Sequence, residues 1–364
     1  MNRSTRIGSI DTARFLAIAL VFYGHLVEQI MYLDNAAAAA QYKWVYSFHM
    51  PLFYVLSGIV HNERRLTQGL ATTLKRIGRG RLVPYTVFAL LPAGAALAGV
   101  PGWFPTVDLG GANGYIAGLV STARGLPAFS IPLWFLASLV VLELVHSAVG
   151  RLWRSNTALV AAIIGFYAIG YVFNREVDVL SADLVFWMVH VVPLGYAFYL
   201  TGILVRRSGL LERTFPVYSV ALTALAGIAL ITLTYNLNQG PFRLLDVVVM
   251  MFGTVGHPLL FPLTALIGTA TVILIARLIP TRAGFQRLGE ITLVIYCLHG
   301  FFYHFVNPPL AAWMQDHLTT TSAWILGTSS AVAVAVSLAI AAAVGLTIQR
   351  YLPVITGGQR RQAP

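Results

Sequence analysis

Residues 11–28, DTARFLAIALVFYGHLVE, decide the fold. The stretch is apolar and long enough to cross a bilayer as a helix, yet it carries Asp11, Arg14, His25 and Glu28. On a helix, Arg14 and His25 lie within about 20° of each other and roughly 16 Å apart along the axis. Ionisable groups inside a span are expensive, so this stripe predicts a functional site. Taken singly, Asp11 and Arg14 also suit interfacial anchoring, and His25 suits a buried structural position.

The composition indicates an all-α integral membrane protein. Of 364 residues, 57% are hydrophobic and only 10% are charged, which excludes a soluble globular protein. We predict a single transmembrane domain over residues 1–364, with no separate soluble domain and no cleavable signal peptide. The single cysteine, Cys297, excludes intrachain disulfides, iron–sulfur clusters and cysteine-based zinc sites.

Apolar stretches of spanning length predict a bundle of about ten transmembrane helices. The predicted spans are 11–31, 44–62, 82–100, 131–150, 157–173, 184–205, 216–236, 259–279, 291–310 and 323–350. Segments 113–129 and 242–256 are predicted to be re-entrant or interfacial. The longest outer loops, 101–130 and 237–258, contain Gly and Pro, which predicts structured turns or lids.

The loop charges predict the orientation. If the N-terminus is cytoplasmic, only Lys43, Arg124, Arg175 and Arg243 of the 24 Lys and Arg face outward. By the positive-inside rule this predicts that both termini are cytoplasmic. The net charge of +11 therefore reflects membrane topology, and we expect no nucleic-acid partner.

The second predicted span contains YSFHMPLFYVLSGIVH, residues 46–61. His49 falls in its outer part, Ser57 and Gly58 lie further in, and His61 is at the inner edge. Gly58 would permit close approach of another helix. Packing alone is the alternative explanation for this motif.

Arginines cluster just before the third predicted span. Arg76, Arg79 and Arg81 lie within six residues, shortly before Pro84. Guanidinium forks suit bidentate recognition of phosphate. The cluster predicts a cytoplasmic site for the ADP part of a coenzyme or for an anionic lipid head group, with membrane topology as the alternative.

Two further spans carry ionisable residues. The fourth contains PLWFLASLVVLELV, residues 132–145, where Glu143 needs a partner such as Arg14 or an arginine of the inner loop. The ninth lies in LGEITLVIYCLHGFFYHF, residues 288–305, and places His299 at mid-depth. We predict that His25 and His299 face one pocket, where imidazole is suited to general base chemistry. No metal site is predicted.

Several of these motifs resemble the signature of the membrane-bound acyltransferase-3 family. They are the Arg14-x10-His25 pair, FHMPLFYVLSG (48–58), the arginines leading into RLVPY (81–85), PLWFLASL (132–139) and LGEITLVIYCLH (288–299). They occur in the family's order and with family-like spacing. The nearest subgroup looks like the fucose 4-O-acetylase-like and polysaccharide O-acetyltransferases.

The resemblance implies an enzyme of the bacterial cytoplasmic membrane. It would move an acyl group, usually acetyl, from cytoplasmic acyl-CoA to a hydroxyl of an extracytoplasmic glycan or glycolipid of the cell envelope. His25 matches the catalytic histidine and Arg14 its paired arginine. The arginines before Pro84 match a basic motif, although Gly78 and Gly80 interrupt it. The expected partners are acyl-CoA, the glycan acceptor and membrane lipids, and transfer is expected within the membrane domain.

The mechanistic hypothesis assigns His25 as the base, with His299 or Ser57 as a donor or orienting group. Arg76, Arg79 and Arg81 would hold the CoA phosphates. We place His49, Glu143 and Asp11 among the substrate-binding residues. Direct transfer and a transient acyl-imidazole on His25 both remain open.

An alternative function is a secondary transporter or permease for a sugar or an anionic solute. Many spans with buried ionisable groups fit that class too. Transporters are often built from inverted repeats, and we find no such repeat. The basic cytoplasmic cluster is also left unexplained by transport. Turnover of a thioester would separate the two functions.

Overall fold

A computed structural model describes residues 8–101, 103, 107–179, 183, 185–238, 247–280 and 283–357. The predicted positions of both termini, and of Arg243, lie outside these residues. The described part of the chain is helical, with no β-strand, which confirms the all-α class. Its α-helices are α1 (Gly8–Met31), α2 (Ala36–Tyr46), α3 (His49–Ile59), α4 (Leu70–Ile77), α5 (Val83–Leu97), α6 (Ala112–Ala123), α7 (Trp134–Val149), α8 (Asn156–Glu176), α9 (Val192–Arg207), α10 (Val217–Thr234), α11 (Leu260–Leu278), α12 (Ala283–Glu290), α13 (Thr292–Phe301), α14 (Asn307–His317) and α15 (Ala323–Tyr351).

In the described chain, seven helical segments are long and apolar enough to cross a membrane. They are Gly8–Met31, Leu70–Leu97, Ile131–Trp153, Asn156–Glu176, Val217–Thr234, Leu260–Leu278 and Ala323–Tyr351. Each corresponds to one predicted span. The segment Leu70–Leu97 begins earlier than predicted, because α4, a π-helical turn (Gly78–Leu82) and α5 run on continuously. The basic cluster is therefore helical and not part of a loop.

The remaining predicted spans are helical but shorter or interrupted. Span 44–62 breaks between α2 and α3, just before Pro51, whose ring and missing N–H do not fit a helix interior. Span 184–205 is helical only from Val192, in α9. Span 291–310 runs through α13, a second π-helical turn (Phe302–Val306) and the start of α14.

The outward faces of several helices are apolar. Helices α8, α10 and α15 expose large hydrophobic side chains, including Ile164, Val217, Leu222 and Val332. Water would not tolerate so extended an apolar surface, whereas lipid tails would cover it. The surface is that of a multi-pass membrane protein.

Helix α1 lies at the centre of the bundle. It packs against α2, α3 and every helix from α11 to α15. Its ionisable stripe therefore points into protein, and Asp11, His25 and Glu28 are all buried. Helices α3 and α9 cross closely at Gly58 and Gly202, where an added Cβ on either would collide with a backbone carbonyl of the other helix. This confirms the packing role predicted for Gly58.

Candidate active site

Three aromatic residues contribute to the walls of two cavities. The arginine cavity, of about 120 Å³, contains Arg14, Ser57, Arg65, Arg76, Arg81 and Glu143 in its wall. The histidine cavity, of about 290 Å³, contains His25, Glu28, Tyr46, His49 and Tyr303. Phe53, Phe135 and Tyr296 line both, so we call these three residues the aromatic layer. Their ring centroids are 5.5–6.5 Å apart, with one residue each from α3, α7 and α13.

A carboxylate holds two arginines in the arginine cavity. Arg76 Nη1 donates to Glu143 at 2.5 Å, and Arg81 Nε donates to its other oxygen at 2.9 Å. In the π-helical turn, the Val83 N–H donates to the Gly78 carbonyl, five residues back. Because such a turn brings residues about five apart onto one face, it directs Arg76 and Arg81 together towards Glu143. The predicted pairing of Glu143 with an arginine near the inner loop is thus observed.

Two more arginines complete this cavity. Arg14 Nη1 lies 3.8 Å from Asp11 Oδ1, and the side chain of Arg14 is 32% exposed. Arg65 was not singled out from the sequence. Burial, and then the nearby charge of Arg76, lower the pKa of Arg65 below its ordinary value. A crowded, partly desolvated group of guanidinium ions is stabilised by an anion.

His25 lines the histidine cavity and pairs with a second histidine, His299. His25 Nδ1 lies 2.8 Å from His299 Nε2, and the two rings stack with centroids 4.8 Å apart. His299 is fully buried against Phe22, at a centroid distance of 4.1 Å. Since Nδ1 of His25 is used in this bond, Nε2 is the nitrogen left for a substrate in the cavity. His299 does not line the cavity that contains His25, so the two rings pair with each other but the structure does not place both in one pocket.

A second polar group lies one turn further along α1. The Glu28 carboxylate accepts hydrogen bonds from the Tyr32 hydroxyl at 2.8 Å and the Tyr46 hydroxyl at 3.3 Å. His49 Nδ1 donates to the Val45 carbonyl at 3.1 Å. Since that bond fixes the proton on Nδ1, the opposite nitrogen of His49 is an acceptor.

A short loop segment covers part of the histidine cavity. Val249, Met250, Met251 and Phe252 line it. The Thr254 hydroxyl donates to the carbonyl of Val247 at 2.9 Å and fixes the fold of this segment. The segment falls within 237–258, where the sequence predicts a structured turn or lid.

The structure separates the predicted site residues into groups. His25, His299 and His49 belong to the histidine cavity or contact it, whereas Arg14, Ser57, Arg76, Arg81 and Glu143 line the arginine cavity. Ser57 lies across the aromatic layer from His25, and its hydroxyl donates to Phe53 O at 2.7 Å. Arg79 is exposed and Asp11 is buried beside Gly289, and neither belongs to the wall of either cavity.

Sequence reasoning missed a histidine–tyrosine cluster in the wall of the arginine cavity. His61 Nε2 lies 3.2 Å from His146 Nε2, and the Tyr199 hydroxyl lies 2.7 Å from His61 Nδ1. The spacing of Glu143 and His146, three residues apart on α7, could have indicated a shared face. The aromatic layer gave no such signal, because its members come from three separate helices.

Among the residues that the structure describes, no group of three or more His, Cys, Asp or Glu side chains is placed to hold a metal ion.

The fold and cavities define a class: a multi-pass helical membrane protein with an anion-attracting cavity next to a buried histidine. The model of the acyltransferase-3 family, described as an acyltransferase domain, matches residues 7–341. The chain belongs to this family and is a membrane acyltransferase. No curated protein and no solved structure shows a significant match to it.

Proposed function

We propose that this protein transfers an acetyl group from cytoplasmic acetyl-CoA to a hydroxyl of an extracytoplasmic glycan or glycolipid in the bacterial cell envelope. The observation that carries the proposal is the His25–His299 pair, with one nitrogen facing a cavity and four arginines across the aromatic layer. Family membership supports the acyl transfer. The order of motifs supports the polysaccharide O-acetyltransferase subgroup.

The donor would bind with its phosphates in the arginine cavity. Arg14, Arg65, Arg76 and Arg81 line a narrow space, and guanidinium forks pair well with phosphate oxygens. Glu143 serves as a positioning residue here, because it fixes Arg76 and Arg81 and offsets their repulsion. We therefore assign its predicted substrate-binding role to an indirect action through these arginines. Asp11 acts likewise on Arg14.

Chemistry would take place at His25. Its Nε2 accepts the proton of the acceptor hydroxyl while the oxygen attacks the thioester carbonyl. A C–O bond forms, the C–S bond breaks, and the CoA thiolate takes the proton back from His25. His299 orients the ring, and its Nε2 accepts the Nδ1 proton of His25, which leaves Nε2 of His25 unprotonated.

An acyl-imidazole route uses the same nitrogen. In that route Nε2 attacks the thioester first, CoA leaves, and the acceptor hydroxyl then displaces the imidazole. Both routes require the thioester to pass the aromatic layer, since His25 and the arginines line different cavities.

The alternative of a transporter is supported by the two cavities, which share one set of lining residues, because alternating-access proteins also have a site that can open to either side. An assay of the purified protein with labelled acetyl-CoA and a sugar acceptor distinguishes acyl transfer from transport. We expect release of free CoA and a labelled sugar ester. In liposomes, accumulation of label without release of CoA would instead establish transport.

His25→Ala tests the chemical assignment in the same assay. Because a general base contributes about 10²- to 10⁴-fold, we expect transfer to fall by that factor while acetyl-CoA still binds. His317→Ala, at an exposed histidine at the end of α14, is the matched control and should retain full activity. Full transfer by His25→Ala would refute the assignment.

A further inference from the structure

We propose that Glu28 selects the acceptor, and that the acceptor is a neutral sugar or polyol with no negative charge near the hydroxyl that becomes acylated. The inference rests on the proposed function and narrows its acceptor.

Glu28 lies where an acceptor must bind. It follows His25 by three residues on α1, so both side chains share a face about one helical turn apart. Both line the histidine cavity. A hydroxyl that reaches Nε2 of His25 therefore belongs to a molecule that also passes Glu28.

The carboxylate of Glu28 is available for a ligand. It is only 7% exposed, and no ion pair between described residues includes it. A carboxylate offers about four acceptor positions, and two tyrosine hydroxyls occupy two of them. A buried carboxylate without a cation is costly, and hydroxyl donors from a polyol would reduce that cost.

The charge of the cavity excludes anionic acceptors. Of the described residues in its wall, none is Lys or Arg, and the ionisable groups besides tyrosines are His25, Glu28 and His49. A uronate or phosphate brought here would lose its water, would gain no Lys or Arg from the described wall, and would face Glu28. The cavity therefore discriminates against an anionic acceptor through its unfavourable contact with Glu28, and a neutral sugar makes no such contact.

The rest of the wall suits a sugar ring. Tyr42, Tyr46, Tyr303 and Trp134 supply flat apolar faces, and the Tyr42 and Tyr46 rings lie 3.8 Å apart. The volume of about 290 Å³ is at the small end of ligand sites, which are typically about 300–1,000 Å³. One monosaccharide unit, presented from a longer chain or a lipid, matches this space.

The test compares two acceptors that differ in one group, methyl glucoside and methyl glucuronide. The full-length protein in detergent receives acetyl-CoA and each acceptor, and the ester product and free CoA are measured. Because an unpaired buried charge costs at least 1.4 kcal/mol, we expect kcat/KM for the glucoside to exceed that for the glucuronide by about tenfold or more.

Glu28→Gln is the variant that tests the residue. The amide keeps the shape and one acceptor oxygen but removes the charge, so the KM for the glucoside should rise by about tenfold. The ratio of kcat/KM for the glucoside to kcat/KM for the glucuronide should become smaller than in the wild type. Glu176→Gln, at an exposed carboxylate, is the control and should match the wild type.

The outcomes separate the two proposals. Equal transfer to both sugars by the wild type, or better transfer to the glucuronide, would overturn the acceptor inference and leave acyl transfer intact. An unchanged glucoside KM in folded Glu28→Gln would overturn the role of Glu28. Should that variant fail to fold, the wild-type comparison still decides the acceptor class. Absence of CoA release with any acceptor would refute the proposed function itself.

Discussion

The two cavities differ in charge although they share three aromatic residues. The arginine cavity has four guanidinium groups around one carboxylate. The histidine cavity has one carboxylate, two histidines and a set of tyrosines, with no Lys or Arg in the described wall. The first suits a polyanion, and the second suits an uncharged molecule rich in hydroxyls. On the proposed function, the donor and the acceptor would therefore be recognised separately, by opposite electrostatics.

The largest change in substrate binding is expected when the two arginines that bond Glu143 are replaced. In the double variant Arg76→Gln/Arg81→Gln we expect the KM for acetyl-CoA to rise by about 100-fold, since each charged hydrogen bond contributes roughly 1.5–3 kcal/mol. The KM for the sugar acceptor should stay the same. Steady-state kinetics with each substrate varied in turn provide the measurement.

The control for this variant is Arg79→Gln, which removes one positive charge from the exposed side of the π-helical turn. We expect little change in either KM. A comparable rise in the KM for acetyl-CoA would show that the whole basic cluster acts through its overall charge, as the sequence prediction for Arg79 implies.

Substitution of His299 should have an intermediate effect on the histidine side. His299→Ala removes the partner of His25 Nδ1, so we expect kcat to fall by about tenfold, as typical for loss of an orienting hydrogen bond. The KM for acetyl-CoA should not change. His299→Gln places a polar atom near the former Nε2 and should recover part of kcat.

The comparison between these two variants identifies the role of His299. Equal losses in the alanine and glutamine variants would mean that an imidazole is required at this position for the chemistry itself. Recovery by glutamine, with the pH profile of kcat displaced from that of the wild type, supports a positioning role.

The smallest change in activity is expected from a substitution in the aromatic layer. Phe53→Leu removes one ring of the aromatic layer, and water should reach the thioester more easily. We expect hydrolysis of acetyl-CoA without an acceptor to rise by a few-fold, equivalent to less than about 1.4 kcal/mol. Phe261→Leu, at a buried ring outside both cavities, should leave hydrolysis unchanged. Equal hydrolysis in the two variants would show that the layer does not restrict access.

The sequence predicted the class of fold because apolar length depends on local composition. It predicted less well where polar residues enter a span, as His299, His304 and Asn307 do in the run from α13 to α14. The break before Pro51 was missed although the proline itself indicates it, and the late start of α9 has no signal in the hydrophobic periodicity. The π-helical turn at Gly78–Leu82 was also missed, and it decides which arginines face the cavity.

The contact of His25 with His299 was predictable because both lie in spans at similar depth. The separation of Ser57 from His25 was not, because it depends on rings from three helices. Glu28 was recognised in the stripe on α1 and not assigned a role. Its importance emerges only when the tyrosines of α1 and α2 and the absence of cations in the described cavity wall are seen together.

The aromatic layer also has a consequence for the energy of the cell. A water-filled passage joining both cavities would let ions cross the membrane, and each elementary charge crossing 100 mV dissipates about 2.3 kcal/mol. Phe53, Phe135 and Tyr296 line both cavities and lie where such a passage would run. On the proposed function, a thioester would have to move between the cavities without opening an ion channel. The three rings would then provide electrical insulation between turnovers.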